Sequence, residues 1–347
     1  MASEAAIGTD RDGAEASGFP AGPDLVHPGI GPYRLACRRL LRNRVALFFG
    51  GLFILIVVLC LLAPVYANDI AHTGPNVNHI TDVVKVNGKS EEVVSSTGLP
   101  IGPTWQGRFL LGADKNGRDV AVRLLYGGRN SLEVGAIATL ITMVLAVIVG
   151  LLAGYFRGFT DGVLSRLMDI IWAYPALLLG VALGVMLAVS GINLGLFELR
   201  GGSLLIPALI VGVVYIPYVA KPIRGQVLGL REREFIDAAR VQGLGNLRIM
   251  LGEILPNLAS TIIVFVPLML ANSILLEASL SFLGAGVQAP NPSWGTMISD
   301  GTRYIPAAIH LVLVPGLMLV AAVLGVNVFG DGVRDALDPR ARIRIER

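Results

Sequence analysis

The chain has 347 residues, a mean hydropathy of +0.67 and only 15% charged residues. A soluble protein of this size needs more charge to cover its surface, so a water-soluble globular domain is excluded and a membrane protein is indicated. The net charge of +3 says little as a total, whereas its distribution along the chain is informative.

Residues 1 to about 30 are rich in Gly, Ala, Ser, Pro and Asp without apolar period, the composition of a disordered tail. A basic cluster follows at Arg34, Arg38, Arg39, Arg42 and Arg44, and then the apolar run Val45–Ala63. That run is too long and too far from the start for a cleaved signal peptide, and it has the ~20 residues that a retained span needs. Five further spans are predicted at Val134–Ala153, Leu167–Val189, Leu204–Ala220, Leu258–Leu276 and Ala308–Phe329. Six spans put both termini on one side. With the N-terminus cytoplasmic, the inside segments hold 19 of the 28 Lys and Arg residues, and the two short outside loops hold only Arg200 and Arg303. The other seven basic residues lie in the first outside loop, which is too long for the charge rule to apply.

The expected organisation is therefore all-α. Residues 1–44 form a cytoplasmic tail with its basic flank, 45–66 the first span and 67–131 a long extracytoplasmic loop. Residues 132–330 hold five spans with a cytoplasmic loop at 221–257, and 331–347 form a second cytoplasmic tail. Cys37 and Cys60 suggest neither a disulfide framework nor a metal clip, and the four histidines have no ligand spacing.

The loop at 221–257 is the most informative stretch. Leu230–Gln242 has helical composition, and Gly243 and Gly245 are suited to end it, because glycine accepts the left-handed conformation at a helix C-terminus. Asn246 can cap a second short helix, Leu247–Leu255, and Pro256 predicts a turn into the next span. Ala239 and Gly243, four apart, predict a nearly bare patch for a close-approaching backbone, flanked by Arg233, Asp237 and Arg240. Alanine is also simply a good helix former, so the pattern alone leaves both readings open.

The run DAARVQGLGNLRIMLGEILP resembles the EAA loop of ABC importer permeases, with Asp237 where the family usually has Glu and Glu253 where Ile is commonest. Three more stretches resemble dipeptide and oligopeptide permeases of the second-permease type: Leu110–Leu132, Leu275–Ile298 and Gly330–Arg340. The resemblance implies a type I ABC importer permease fold with six transmembrane helices and a cytoplasmic coupling helix. It assigns ATPase coupling to Asp237, Ala238, Ala239, Gly243, Leu255 and Pro256. Implied partners are a homologous second permease, one or two cytoplasmic ABC ATPase subunits holding ATP and magnesium, and an extracytoplasmic peptide-binding protein. No cofactor or metal on this chain, no catalysis by it and no nucleic acid are implied. The cargo is di- or oligopeptide, with nickel chelates, glutathione or another small solute as the alternative.

The chain's own chemistry is sparse. Gly112–Asp119 approaches a phosphate loop, but Arg118 and Asp119 replace the Lys and the hydroxyl, which excludes nucleotide binding there. Asp169 and Glu277 are the candidates for a gate or pathway, as ionisable residues in or near spans. Asp169 follows Arg166 by three residues, the spacing of a neutralising pair, and Glu277 is expected near the outer border, in reach of water. His310 is undecided between a cavity and an interface. Gly150 and Gly154, like Gly180 and Gly184, have the spacing of close helix packing in lipid. An ion-driven secondary transporter would show inverted repeats and paired midplane carboxylates, and neither is evident.

Overall fold

The computed structural model describes residues 32–86, 88–193, 195 and 198–337. The tail at 1–30 and the residues after 337, including the end of the Gly330–Arg340 motif, lie outside the described residues.

A short helix, α1 (Pro32–Leu40), precedes the first span, α2 (Arg44–Leu61). Asn43 starts α2 by accepting the Ala46 N–H at 3.1 Å. A short helical extension at 63–70 leads into the outer segment, where β1 (Val83–Val86) and β2 (Lys89–Glu92) pair antiparallel with Val83 opposite Glu92. The outer segment has its own small core of Val93, Ile101, Phe109 and Ala113.

Helix α3 (Val120–Phe156) is 37 residues long, so the outer loop ends at 119 rather than at the expected 131. At ~1.5 Å per residue, such a helix reaches well beyond the bilayer. Asp119 fixes its start. One carboxylate oxygen accepts Ala121 N–H (2.8 Å) and Val122 N–H (3.1 Å), and the other accepts Phe109 N–H (2.6 Å). The stretch that approached a phosphate loop is thus a cap and turn, with Asp114 accepting Asn116 and Arg118 N–H groups. Burial pushes the Asp119 carboxyl above the usual range, and those three backbone donors pull it back.

The third predicted span is not one helix. It is α4 (Gly158–Ala173) and α5 (Ala176–Ser190), bent by 88° at Tyr174–Pro175. Proline pushes the preceding residue out of helical geometry, and Tyr174 is extended (φ −96°, ψ 138°). A two-residue ladder, β3 (Ile192–Asn193) with β4 (Glu198–Leu199), follows. The fourth span is α6 (Leu205–Val214) with α7 (Ile216–Leu230), bent by 40° at Tyr215 before Pro217. Helix α7 continues ten residues past the expected end at Ala220, which shortens the loop expected at 221–257.

After the short helix α8 (Glu234–Val241), α9 runs from Asn246 to Phe282. The expected second loop helix and its turn at Pro256 are corrected, because Asn246–Arg248 passes through a π-helical stretch, Ile249–Ile254, into Leu255–Phe282 without a break. The wider turn of the π stretch just ahead of Pro256 accommodates a proline inside the continuous helix. Helix α10 (Trp294–Gly301) caps the outer end, and α11 (His310–Leu337) is the last span.

Helices α2, α3, α9 and α11 are each long and apolar enough to cross a bilayer, and the two bent pairs reach that length only together. The seam between α3 and α7 is the most extensive between two helices. A methyl at Gly154 would lie 2.6 Å from Val227 Cβ, and one at Gly150 would lie 2.7 Å from Ile223 Cγ2. The glycine spacing therefore serves backbone approach, as expected in lipid. Gly180 and Gly184 of α5 likewise face Leu280 and Ala285 beside the end of α9. At the outer end, Trp294 is fully buried, with Nε1 donating to Leu124 O (3.1 Å) and its N–H donating to Ser131 Oγ (3.3 Å).

Candidate coupling site

The polar elbow between α7 and α9 has one face built into the protein and one face left outside. Ile236 and Ala239, three apart on α8, are buried against Ile249, Met250 and Ile254. Ala239 therefore does not contribute to an external bare patch. Its small size lets α8 lie close to the π stretch of α9, and the predicted pairing of Ala239 with Gly243 on one open face is corrected. The inward face of α8 is set by Ile236, whose burial outweighs the small-residue pattern.

The outward face holds Phe235, Asp237, Ala238, Arg240, Val241 and Gln242. Val241 is 90% exposed. Asp237 accepts a hydrogen bond from Arg240 Nη1 at 3.0 Å, a local surface pair. Gly243 ends the helix with φ +78°, its N–H donating to Arg240 O (2.9 Å), and Leu244 N–H donates to Ala239 O (3.1 Å). This is the left-handed C-terminal stop for which glycine is suited. A side chain at Gly243 would point into open space. Beside it lies an open hollow of about 670 Å³ lined by Gly245, Asn246, Leu247, Arg248, Leu251 and Gly252. Leu247 and Leu251 are exposed apolar residues one helical turn apart. Leu255 is half-buried at the root of the elbow and Pro256 is exposed there.

The elbow is tied to the C-terminal end of α3, a feature with no motif to announce it. Tyr155 OH donates to Asn246 Oδ1 (2.9 Å), and the Arg231 guanidinium donates to Tyr155 O and sits 5.8 Å over its ring. Arg157 pairs with Glu232, and that hydrogen bond holds the Glu232 carboxyl below the usual range. Spans α3, α7 and α9 thus meet at one joint.

The two gate candidates fall elsewhere. Asp169 bridges Lys221 Nζ at 2.8 Å, with Arg166 farther at 3.9 Å, so the main pair stitches α4 to α7 rather than closing within α4. Lys221 also lies 4.0 Å over the Trp172 ring. Glu277 is fully buried, and the expectation that it reaches water is corrected. The chain after α9 folds back, and α10 packs over the end of the span, which distance along the helix alone does not reveal. Ser281 Oγ donates to Glu277 Oε1 at 2.6 Å, the carboxyl lies near Ser131 and Ser293, and among the described residues Oε2 has no hydrogen-bond partner. His310 Nε2 is also unpartnered, against the Gly112 turn.

Comparison with family models matches residues 146–343 to "binding-protein-dependent transport system inner membrane component" and 31–79 to "N-terminal TM domain of oligopeptide transport permease C". The chain is 35% identical to the dipeptide transport system permease protein DppC of Alkalihalophilus pseudofirmus, over 92% of this chain and 94% of that one. It is 35% identical to the di/tripeptide permease DppC of Pseudomonas aeruginosa, over 92% and 95%. The glutathione permease GsiD of Pectobacterium atrosepticum is 36% identical over 67% of this chain and 73% of its own length. Among solved structures, the inward-facing MetNI methionine ABC transporter is 19% identical, covers 62% of this chain and 96% of the solved one, and has a TM-score of 0.49.

Proposed function

The chain belongs to the family of binding-protein-dependent transport system inner membrane components, and we propose that it is the permease subunit of an ATP-driven importer of di- and oligopeptides whose elbow at α8 receives the ATPase. Peptide cargo is favoured because the relatives that match over 92% of this chain are named for dipeptide, di/tripeptide or peptide transport.

One observation carries the docking role: α8 has an internally packed inner face and an outer face whose apolar tip, Val241, is left exposed. Phe235, Ala238 and Val241 lie three apart along that helix, the spacing of one continuous face. Asp237, Ala238 and the stop at Gly243 shape the contact. Ala239, Leu255 and Pro256 support it from behind, where the elbow joins α9. Displacement of α8 by an ATPase would move α3, α7 and α9 together through the joint at Tyr155, Arg231 and Asn246, a rigid-body route to alternating access. The charge distribution supports a cytoplasmic elbow and cytoplasmic termini. Hydrolysis of ATP, and any magnesium it needs, belongs to the ATPase subunits, and a second permease completes the pathway.

Uptake of labelled di- to pentapeptides by cells lacking this chain, with and without its restoration, tests the reading. Restored peptide uptake that requires ATP is expected. Equal uptake in both strains, or uptake driven by an ion gradient without ATPase partners, would contradict it.

A further inference from the structure

The basic flank ahead of the first span is not absorbed by the coupling role. Helix α1 does not extend α2 but folds aside onto the end of α11, with Ala36 buried there. At the junction, a methyl on Gly332 of α11 would lie 2.3 Å from Ala46 Cβ and 3.4 Å from Leu40 Cδ1. Packing thus fixes which side of α1 faces the protein. The side left over holds Arg34 and Arg38, four apart on one face, and the turn and helix start that follow hold Arg42 and Arg44. All four are exposed, and among the described residues none has an ion-pair partner. Interleaved with them are exposed apolar side chains, Leu41, Val45 and Phe48, which continue the outward face of α2.

This end of α2 lies on the same side of the bundle as the elbow. Cys60, at the far end of α2, contacts the Gly128 region near the start of α3, so the start of α2 and the end of α3 share one face of the bundle. An array of guanidinium groups beside lipid-facing side chains, at the depth where a span begins, matches the border between anionic headgroups and acyl chains.

We propose that α1 and the turn to α2 form a binding surface for anionic lipid headgroups, with the phosphates on Arg34, Arg38, Arg42 and Arg44 and the chains against Leu41, Val45 and Phe48. The charge complementarity and the continuity with the lipid-facing side of α2 favour a lipid over a soluble anion or a protein. The surface clamps the cytoplasmic end of α11 through Ala36 and Leu40, so it anchors the last span at the membrane border.

The test uses the full-length chain in phosphatidylcholine nanodiscs doped with a phosphatidylglycerol probe that is photoactivatable near its headgroup. Labelled peptides are mapped by mass spectrometry. Labelling of residues 32–48 is expected in the wild type, weakening at high salt and falling about fivefold for each arginine lost in Arg34→Gln/Arg38→Gln. The Arg34→Lys/Arg38→Lys variant should keep it. Arg42 and Arg44 remain in both variants so that insertion keeps its orientation, and a phosphatidylcholine probe on α2 reports that folding is unchanged. Undiminished labelling in the Gln variant, or no labelling of this segment in the wild type, would overturn the proposal. So would loss of labelling to inorganic phosphate at concentrations matching the probe, which would make the ligand a soluble anion.

Discussion

The outer segment at 62–119 and the elbow at 231–245 are both polar passages between spans, yet they use their side chains in opposite ways. In the outer segment several charged groups are consumed internally. Asp114 pairs with Arg118 at 2.7 Å and with Arg123 at 3.4 Å, Asp82 pairs with Arg108 at 3.0 Å, and Asp119 accepts three backbone donors. In the elbow the backbone is also held, by the joint with α3 and the stop at Gly243, but the outer face of α8 carries only the local Asp237–Arg240 pair and leaves Phe235 and Val241 exposed. A fixed backbone presenting unmatched side chains is a surface prepared for a partner, because little ordering cost remains to oppose binding. The outer segment ties several of its charged groups into its own fold, whereas the elbow leaves the charged and apolar side chains of one helix face exposed, as the proposed docking role requires.

The comparison can be broken most severely at Gly243. The Gly243→Trp variant should insert normally, since its side chain enters open space, although the left-handed backbone adds roughly 1–2 kcal/mol of strain. Peptide uptake should nevertheless fall to background. Normal uptake would remove the docking role from the elbow.

Asp119→Ala should act in the other direction. Loss of the cap and of the Phe109 acceptor should destabilise the outer segment by about 2–4 kcal/mol, read by limited proteolysis. Uptake per folded molecule should stay near normal, and a loss as deep as that of Gly243→Trp would show that the two regions do not differ as described.

Within α8 the contrast can be sharpened on a single helix. Ile236→Ala removes a fully buried side chain and should cost about 2–5 kcal/mol of stability. Val241→Ala should change stability by no more than ~0.5 kcal/mol, yet lower ATPase binding measured by co-purification. Equal effects on stability would mean that Val241 packs within the chain.

The smallest effect is expected at Glu232. Arg157 lowers its folded pKa, so the bridge supports the joint above the pKa of the unfolded carboxylate. That support is lost as pH falls through the lower folded value. Proteolysis at the elbow should therefore increase at acid pH in the wild type and vary less with pH in Glu232→Gln.

Much of the fold is legible in the sequence because lipid imposes a simple rule. Apolar runs of bilayer length predict the spans, and Gly150 and Gly154 predict a seam that α7 occupies. Breaks are harder to read. Pro175 marks a break between α4 and α5, but no residue pattern announces an angle of 88°. Pro256 misled for the converse reason, since a π stretch absorbs it. The elbow is legible as a motif, but not the direction of its faces. Ile236 is one apolar residue among several, and only the position of Ile249 and Ile254 shows that it and Ala239 turn inward. The tie through Tyr155 and Arg231 joins residues far apart in the chain and leaves no periodic trace. Glu277 shows the limit most plainly, because distance along a helix measures depth and not what folds over its end.

The docking role rests on the outer face of α8, and one cross-link tests it directly. Val241→Cys is introduced in a Cys37→Ser background, which leaves only the buried Cys60 as a native thiol. Membranes carrying the assembled importer are then treated with a short thiol-to-amine cross-linker with and without ATP. Docking predicts an adduct between this chain and an ATPase subunit whose yield changes with nucleotide. A correctly inserted, transport-competent variant that yields adducts only with lipid or with other membrane proteins would contradict it.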